Sequence, residues 1–531
     1  MIRAYEVADV RAAEQLRLAQ VPDGALMQRA AAALAATCLR LLRERCGRVT
    51  GSAVLVLVGA GNNGGDALWA GARLAARGVR VTAVLLAAQV HPDGLAALRA
   101  AGGRAVTPDE LHDHEESHDH GGVEVVVDGI VGLGGAPGLR EPAAGVVAAL
   151  RLGERGPGER GFGGGRDGGR RPVVVAVDLP SGVAPDSGET PAPHVVADVT
   201  VTFGAAKPCL LLPPASRAAG RIVEVDLGFG PLLPGRAAVE RLTGADLAAA
   251  WPVPGPDADK YSRGVVGVVA GSPAYTGAAV LVCAGALRAG TGMVRYTGPG
   301  PAADQVRAHW PEAVVGSGRV QAWVLGSGVD PGAGDGQAEA IAGALGSGLP
   351  CVVDAGALEL LALRPDLRDR LGPHVLLTPH AGELARLLDA VDRADVEARP
   401  LHHARLAAET IGATVLLKGS TTLVVTPDGR VRAQADAPAW RATAGAGDVL
   451  AGMAAALLAA GLSPLDAGSV AAAVHGRAAH AARPGGPITA RDVADAVPGV
   501  VARLARPVGS PGRSSGRAPG RSSGRGAKRS W

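Results

Sequence analysis

The chain has 531 residues, a formal net charge of +3 and an aromatic content of only 2%. This length predicts two or three domains whose cores are packed from Ala, Val and Leu rather than from aromatic side chains. The basic excess lies in the tail, Arg506–Trp531, which contains no acid, so the rest of the chain lacks the basic surface of a nucleic-acid binder. Nucleic acid is therefore not expected as a partner.

Cysteine usage and hydropathy predict a cytoplasmic protein. The five cysteines are scattered and include no C-x-x-C pair, which favours reduced thiols over a disulfide framework or a zinc site. The N-terminal stretch MIRAYEVADVRAAEQ lacks the apolar core of a signal peptide. The apolar runs are too short, or too interrupted by glycine and charge, to span a bilayer, so no membrane partner is expected.

The first half of the chain predicts helices and then alternating strands and helices. The pattern from Tyr5 to Leu42 is helical, and a Gly-rich turn and a helix follow the apolar strand Ala53–Val58. This alternation predicts a mostly parallel sheet covered by helices. Short apolar runs predict further strands at Val79–Leu86, Val123–Val127, Val173–Val177, Val199–Thr202 and Ile222–Val225.

Two insertions of low complexity interrupt this series. The stretch His112–His120 is rich in histidine but also in acids, so a solvated loop is favoured over a metal site. The stretch Gly153–Arg171 is rich in glycine and arginine and is expected to be disordered. The repetitive basic tail at the C-terminus carries the same expectation.

A second alternating series begins near Lys260. Two Ala-rich helices, at about Asp448–Ala460 and Pro464–Ala482, close it, and the Pro-rich stretch Thr243–Lys260 is the expected joint between the halves. A hairpin is expected around Pro427–Gly429. Strands are predicted in GVVGVVAGS, GMVRYTG, AWVLGSGVD, PCVVDAGAL, HVLLTPHAGE and ATVLLKGSTTLVVTPDGRVRAQ.

The stretch RATAGAGDVLAG, Arg441–Gly452, places small residues before an apolar helix and an aspartate at its start. The free N–H groups of a helix N-terminus suit a phosphate, and a carboxylate beside that phosphate can take the proton of an attacking hydroxyl. In this interpretation Asp448 is a general base. The alternative is that Asp448 caps the helix, and this segment alone does not decide between the two.

Four other predicted strand ends in the second half carry glycine or polar residues. They are VLGSGVD, VVAGSPAYTGAA, LTPHAGE with His380, and LLKGSTT with Lys418. Ligands bind at the carboxyl ends of strands in open α/β sheets, so five such ends together predict a site. Taken alone, K-G-S is weak evidence of a phosphate contact, and a lone histidine there is more often a helix cap.

Together these segments resemble the ADP/ATP-dependent NAD(P)H-hydrate dehydratases of the ribokinase-like superfamily. The resemblance covers about Lys260 to Leu504. The family usually has proline where Ser327 stands and an acid where Gly356 stands. The matching stretches are KYSRGVVGVVAGSPAYTGAAVL, VLGSGVD, VVDAGAL, LTPHAGELARLL, VLLKGSTT and ATAGAGDVLAGM.

Three predicted strand ends in the first half carry oxygen donors. GAGNNGGDA differs from a dinucleotide-binding G-x-G-x-x-G loop by its two asparagines and its aspartate. VVDGIVGLGGAPG follows with Asp128, and VAVDLPSGVAPDSGE with Asp178 and Ser181. Asn63, Asp128 and Ser181 are oxygen donors that suit an alkali cation. An ordinary capped turn is the alternative for each segment taken alone.

These segments resemble NAD(P)H-hydrate epimerases over about residues 1–240, together with ALMQRAA, VTFGAAKPCLLLPP and GRIVEVDLGFG. The departures from that family's pattern are Gln28, Ala31, Ala60 and Ala67. The two families are commonly fused in this order. The resemblance implies an α/β protein with an N-terminal Rossmann-like three-layer sandwich and a C-terminal ribokinase-like three-layer sandwich. The expected boundaries are 1–240, a linker at 241–259, 260–505, and the tail at 506–531.

The resemblance implies repair of hydrated nicotinamide nucleotides. The first half would interconvert the R and S forms of NADHX and NADPHX, and the second would return the S form to NAD(P)H. ADP would be the co-substrate, giving AMP and phosphate, with Mg²⁺ accompanying the nucleotide and K⁺ bound in the first half. A homo-oligomer is expected.

The resemblance also assigns residues. Asp448 and Asp178 are the candidate catalytic residues, and both also match hydrate-binding positions. The other hydrate-binding positions are Asn62, Asn63, Gly64, Gly65, Asp66, Gly132, Leu133, Gly134, Gly135, Ala136, Pro137, Gly138, Ala278, Gly328 and His380. The nucleotide-binding positions are Lys418, Gly419, Ser420, Thr421, Thr422 and Gly447. The potassium-ligand positions are Asn63, Asp128 and Ser181.

Three other interpretations stay open at this point. The GAGD turn, residues 445–448, is shared by kinases of small alcohols, which would release a stable phosphorylated product. A non-catalytic NAD(P)-binding or scaffolding protein would have lost its acids, whereas Asp66, Asp128, Asp178 and Asp448 are all present. Several family positions in the first half have changed to alanine, so a dehydratase with an inactive epimerase half is the third alternative.

Overall fold

A computed structural model describes residues 1–111, 122–153, 171–334 and 336–505. The His-rich insertion, nearly all of the Gly/Arg-rich insertion and the basic tail lie outside the described residues, and so do the expectations stated for them. The described residues form two sheets, one of seven strands and one of eleven.

Strands are numbered in chain order. The first nine are β1 Ile2–Ala4, β2 Ala53–Val58, β3 Arg80–Leu85, β4 Arg104–Val106, β5 Val125–Gly129, β6 Val173–Val177, β7 Val199–Phe203, β8 Arg221–Val225 and β9 Val239–Arg241. The others are β10 Val265–Val269, β11 Met293–Tyr296, β12 Val314–Val315, β13 Ala322–Leu325, β14 Cys351–Val353, β15 Val375–Leu377, β16 Thr414–Leu417, β17 Thr422–Val425 and β18 Val431–Gln434.

The α-helices are given by their bounds. Those up to the joint are Val7–Leu18, Ala25–Cys46, Asn62–Ala75, Pro92–Ala100, Ala143–Ala149, Pro208–Leu211, Ala215–Ala218 and Gly244–Ala250. Those after it are Thr276–Arg288, Gly300–His309, Gln337–Leu345, Gly356–Leu363, Pro365–Arg368, Ala381–Leu388, Arg393–Ala398, Pro400–Ile411, Ala446–Ala459, Pro464–Ala482 and Ala490–Leu504.

The seven-stranded sheet is parallel throughout, in the order β4-β3-β2-β5-β6-β7-β8. Its strands are buried on both faces. Val56 of β2 joins the core beneath helices Ala25–Cys46 and Asn62–Ala75, and Leu57 joins the core on the other face with helix Ala143–Ala149. This arrangement confirms the three-layer Rossmann-like prediction.

The eleven-stranded sheet has the order β1-β9-β18-β17-β16-β15-β14-β13-β10-β11-β12. The strands from β16 to β12 in this order are parallel, whereas β17 and β18 form an antiparallel hairpin. The predicted hairpin turn is confirmed, because the Gly429 N–H donates to the Thr426 carbonyl at 2.9 Å. Helices cover both faces, so the second half is also a three-layer sandwich.

Two strands from the first half of the chain belong to the second sheet. β1 pairs antiparallel with β9, and β9 lies beside β18. The core on this face mixes side chains from both halves, such as Leu211 and Val239 with Leu417 and Val425. The predicted domain boundaries stay a prediction, but the structure adds that the halves share a sheet edge and a hydrophobic core.

The stretch predicted as a linker, 241–259, contains the helix Gly244–Ala250. Thr243 and Asp246 form a capping box at its start. Leu247 is fully buried and Trp251 nearly so, and both belong to the core of the second half. This part of the joint is therefore packed structure, because its apolar side chains have a core to enter.

The helix Ala25–Cys46 is long and apolar enough to cross a membrane by length and composition alone. Just over half of its apolar stretch is buried, at 56%, inside the protein. Its buried face includes Leu34, Leu41 and Leu42, which pack in the core of the first half. Packing of this kind is that of a core helix.

Leu247→Ala should lower the free energy of unfolding by about 2–5 kcal/mol, because it leaves a cavity in the second core. Chemical denaturation of the full-length protein measures the change. Leu363→Ala is the matched control, since Leu363 is 66% exposed and its loss should cost little. Equal midpoints for the two variants would show that the helix Gly244–Ala250 is not anchored in the core.

Candidate active sites

The second half brings four of the five predicted strand ends to one edge of its sheet, together with the end of β14, which the sequence analysis had not selected. β10, β13, β14, β15 and β16 are parallel neighbours, so their carboxyl ends lie side by side. Backbone hydrogen bonds join the loops that follow. The Gly271 N–H donates to the Ser327 carbonyl at 2.7 Å, and the Lys418 N–H to the Pro379 carbonyl at 2.8 Å.

The GAGD turn lies at the same edge. Its helix begins at Ala446, two residues earlier than predicted, and Gly445 is the N-cap with a φ of +83°. Asp448 is therefore the third residue of the helix and not its cap, which removes the capping alternative. Its carboxyl group is half-buried and close to the free N–H groups of the first turn.

The surroundings of Asp448 favour its protonated form. Burial, followed by the nearby carboxylate of Asp354, raises the pKa of Asp448 to about 7. A hydrogen bond from Ser327 and the charge of Lys418 act in the opposite direction. A carboxyl group with a pKa near neutrality is suited to accept a proton from a hydroxyl and to release it again.

Asp354 and Lys418 form a buried ion pair behind Asp448. Asp354 is 2% exposed and accepts hydrogen bonds from Lys418 Nζ at 2.8 Å, Thr378 Oγ1 at 2.9 Å and Ser327 Oγ at 3.1 Å. Burial alone would raise the pKa of Asp354, but Lys418 and the hydroxyls hold it below its usual value. Burial likewise opposes the charge of Lys418, and Asp354 and Glu383 outweigh it, so the pKa of Lys418 is raised.

Sequence reasoning missed Asp354. It directly follows the strand Cys351–Val353, so the strand-end rule that selected the neighbouring segments would also have selected it. The sequence analysis noted Ser327 only as a departure from the family pattern. Its hydroxyl group donates to Asp354 and lowers the pKa of Asp448, which no spacing in the sequence indicates.

The KGST turn, residues 418–421, lies against the GAGD turn. A Cβ built on Gly447 would lie 3.6 Å from Lys418 Nζ, so the lysine reaches the start of the helix. Gly419 and Ser420 are exposed, whereas Thr421 and Thr422 are buried at 5% and 4%. The open face of this turn is thus formed by its first three residues, and the nucleotide role of all five stays a prediction.

Two of the predicted hydrate-binding residues touch each other. A Cβ on Gly328 would lie 2.5 Å from the Cβ of Ala278, and the φ of Gly328 is +68°, so both packing and backbone require glycine. His380 is the N-cap of helix Ala381–Leu388, as the alternative interpretation held. Its Nδ1 accepts from the N–H groups of Gly382 and Glu383 at 3.0 and 3.2 Å, which leaves Nε2 to carry the proton.

In the first half, eight of the predicted hydrate-binding residues line a cavity of about 780 Å³ at the carboxyl ends of β2, β5 and β6. Arg11, Glu14 and Lys207 also line it, and sequence reasoning had not selected them. Gly64, Gly65, Ala136, Pro137 and Gly138 are not in its wall. The predicted residues that line it are Asn62, Asn63, Asp66, Gly132, Leu133, Gly134, Gly135 and Asp178.

Asp178 follows β6 with a φ of +69°, an unfavourable conformation for a residue other than glycine. Its Oδ1 accepts hydrogen bonds from Thr202 Oγ1 at 3.1 Å and the Phe203 N–H at 3.2 Å. The same oxygen forms a buried ion pair with Lys207. Lys207 is 1% exposed and also donates to the Phe203 carbonyl at 3.0 Å. Three donors therefore converge on this one oxygen of Asp178.

The predicted potassium ligands are partly brought together. Ser181 Oγ donates to Asp128 Oδ1 at 2.6 Å, and the Ser181 N–H donates to Asp128 Oδ2 at 2.8 Å. Asn63 is oriented by a bond from Nδ2 to the Val177 carbonyl at 2.6 Å. A Cβ on Gly132 would lie 2.3 Å from Asn63 Oδ1, so glycine is required for this approach.

No positively charged side chain among the described residues forms an ion pair with Asp128. Asp128 is fully buried, and burial raises its pKa to about 6 against the hydrogen bonds from Ser181. No ion pair among the described residues involves Asp128. Within the same residues, no group of three or more His, Cys, Asp or Glu side chains is placed to hold a metal ion. The donor set fits a monovalent cation held by one carboxylate and neutral oxygens.

Fold and sites define the class of protein. A Rossmann-like half, whose cavity is lined by Asp66, Asp178 and Lys207, precedes a second three-layer half, whose GAGD turn carries a half-buried aspartate with a raised pKa. Residues 266–497 match the family model described as NAD(P)H-hydrate dehydratase, and residues 23–209 match the one described as YjeF-related protein N-terminus. The bifunctional NAD(P)H-hydrate repair enzyme Nnr of Mycobacterium leprae is 43% identical over 489 residues, covering 91% of this chain and 94% of that protein. The chain belongs to the family of bifunctional NAD(P)H-hydrate repair enzymes.

Two further comparisons match one half each. The NAD(P)H-hydrate epimerase of Clavibacter sepedonicus is 47% identical over 229 residues, which cover 42% of this chain and 90% of that protein. The crystal structure of ADP/ATP-dependent NAD(P)H-hydrate dehydratase from Bacillus subtilis, co-crystallized with ATP/Mg²⁺, matches with 24% identity and a TM-score of 0.44. It covers 49% of this chain and 97% of that chain.

Asp448→Asn should stabilise the protein at pH 8 but not at pH 4. A carboxyl group whose pKa is raised on folding binds its proton more tightly when folded, so stability falls as the pH rises from its unfolded value to about 7. The neutral amide removes this cost, which is on the order of 1–3 kcal/mol for a half-buried group. Thermal unfolding at the two pH values measures the difference.

The matched control is Asp257→Asn, at an exposed position in the same half of the chain. It should leave the unfolding temperature nearly unchanged at both pH values. An Asp448→Asn variant that was destabilised at pH 8 would mean that the ionised carboxylate holds the turn together.

Proposed function

We propose that this chain repairs hydrated nicotinamide nucleotides with two active sites. The cavity in the first half interconverts the R and S hydrates, and the site at the GAGD turn dehydrates the S hydrate to NAD(P)H. The position of Asp448 carries this proposal. Its carboxyl group has a pKa of about 7, and it lies in the first turn of a helix that Lys418 also reaches. Family membership supports this function over a kinase of a small alcohol.

The proposed dehydration makes the ring hydroxyl a better leaving group. Asp448 takes the proton of the hydroxyl as the oxygen attacks the terminal phosphorus of ADP, and AMP departs. The N–H groups at Ala446, Gly447 and Asp448 stabilise the negative charge on the transferring phosphoryl group. The ring C–O bond then breaks, phosphate leaves, and loss of a proton from the neighbouring ring carbon restores the double bond.

The nucleotide is proposed to lie along the KGST and GAGD turns. Lys418 supplies a positive charge there, although Asp354 and Glu383 already offset part of it. Mg²⁺, when bound, neutralises phosphate oxygens, and it is usually held by the nucleotide and water more than by protein. We take ADP as the phosphoryl donor.

In the first half, Asp178 is proposed to handle the proton near the hydroxylated ring carbon. Lys207 and the donors from Thr202 and Phe203 keep Oδ1 occupied, so Oδ2 is the oxygen free to reach a ligand. K⁺ is proposed to lie at Asn63, Asp128 and Ser181, where it would supply the positive charge that Asp128 lacks. The same positions link the Val131 loop to the strand ends, since the Val131 N–H donates to Ser181 Oγ at 3.0 Å.

The remaining expectations are proposals of the same kind. NADHX and NADPHX are both proposed as substrates, because no residue described at either site distinguishes one nucleotide from the other. A cytoplasmic location and a homo-oligomeric state are proposed from the sequence. Nucleic acid and membrane are not proposed as partners.

The two activities should separate by mutation. Asp448→Ala should abolish dehydration, a general base being worth about 10²–10⁴-fold in rate, and leave epimerisation unchanged. Asp178→Ala should do the reverse. Chromatographic separation of R and S hydrates measures epimerisation, and recovery of NADH from purified S hydrate measures dehydration. Retention of the assigned activity in either variant would remove that residue from its role.

The dehydration rate should fall as the pH falls through about 7, because Asp448 must be ionised to accept the proton. Ser327→Ala removes a hydrogen bond that lowers the pKa of Asp448, so this limb of the kcat/KM profile should move to higher pH. Asp354, Lys418 and Glu383 also face this group and are unchanged in the variant. Ser262→Ala, at an exposed serine, is the control, and an unmoved limb in Ser327→Ala would contradict the assignment of Asp448 as base.

A further inference from the structure

The cavity in the first half holds two carboxyl groups in opposite electrostatic situations. Asp178 accepts hydrogen bonds at Oδ1 from Lys207, Thr202 and a backbone N–H. Asp66 lines the same cavity without such donors. A pair of neighbouring acids with divergent environments is the arrangement by which an active site keeps one acid and one base at the same pH.

Asp66 is 7% exposed and is the fifth residue of the helix Asn62–Ala75. Its Oδ1 is buried and has no hydrogen-bond partner among the described residues. Burying a carboxylate without a hydrogen-bond donor costs several kcal/mol of stability. A carboxylic acid can be buried at lower cost and can donate its proton to a ligand. Burial, then the carboxylates of Asp178 and Glu14, raise the pKa of Asp66 well above its usual value.

Other charged groups face this cavity from neighbouring elements. Arg11 and Glu14 come from the helix Val7–Leu18, and His91 lies at the start of the helix Pro92–Ala100. Lys207 is engaged by Asp178. No ion pair within the described part of the chain includes Asp66, whereas Asp178 is paired with Lys207.

We propose that Asp66 is the general acid of the epimerisation and Asp178 its general base. This inference rests on the proposed epimerase function and adds a catalytic role to a residue that the family resemblance gives only as a contact. The two residues border one cavity of about 780 Å³, so a bound ring can lie between them.

The proton transfers balance. Water adds to an enamine double bond with its hydroxyl on the carbon attached to nitrogen, so the ring nitrogen can share its electron pair when that hydroxyl leaves. Asp66 gives its proton to the hydroxyl oxygen, the C–O bond breaks, and water departs. A water molecule then attacks the other face, a C–O bond forms, and Asp178 takes one of its protons. Exchange with solvent returns Asp66 to the acid and Asp178 to the carboxylate.

Asp66→Asn tests this proposal, because the amide keeps the shape and a hydrogen-bond donor but has no acidic proton to give. The rate of R-to-S conversion should show kcat reduced about 10²–10⁴-fold, with KM little changed. Dehydration of purified S hydrate by the same protein should be unchanged, which reports that the chain is folded. Asp93→Asn, at an exposed aspartate in the same half, should leave both rates unchanged.

A pH profile separates catalysis from positioning. A general acid must be protonated, so wild-type epimerisation should decline as the pH rises past the pKa of Asp66. Asp66→Glu should turn over slowly and keep this decline, and Asp66→Asn should lose it. A raised KM with kcat intact in Asp66→Asn would mean that Asp66 only contacts the hydrate, and the proposal would be overturned. Absence of epimerisation in the wild type would instead overturn the epimerase function on which the proposal rests.

Discussion

The buried ion pair between Lys418 and Asp354 is the interaction on which the second active site depends. It joins the ends of β14 and β16, and the hydroxyls of Ser327 and Thr378 bring the ends of β13 and β15 into the same network. Removing one partner would leave an uncompensated charge, a change that typically costs about 3–5 kcal/mol. Burial raises the pKa of Asp448 most; Asp354 raises it further, whereas Lys418 lowers it, so both members of the pair also act on the proposed base.

The first half also contains a buried ion pair between an aspartate and a lysine. Lys207 forms an ion pair with Asp178, whereas no ion pair among the described residues includes Asp66, so one cavity holds two acids in different surroundings. The two halves are also joined structurally. β1 and β9 extend the second sheet, and Ser216 Oγ lies 3.4 Å from Thr421 Oγ1 at the proposed nucleotide turn. Packing therefore makes the fusion one unit.

Much of this architecture follows from short apolar runs and their glycine-rich ends. β6 and the helix Pro464–Ala482 lie where the sequence predicts them, because the strand is a run of buried Val and Ala and the helix is Ala-rich with a mostly buried surface. β1 and β9 could not be predicted, since three-residue strands depend on partners distant in sequence. Glu14 and Lys207 reach the cavity only through the tertiary fold, and the bond between Ser327 and Asp354 has no signature in spacing.

The most direct test follows the near-ultraviolet absorbance of reduced nicotinamide while the purified protein meets mixed R and S NADH hydrates with ADP, Mg²⁺ and K⁺. Recovery of NADH beyond the S fraction, and faster than spontaneous epimerisation, is the result expected if both halves work. Recovery that stops at the S fraction would contradict the epimerase half. No recovery with either ADP or ATP would contradict the dehydratase and, with it, the role of Asp448.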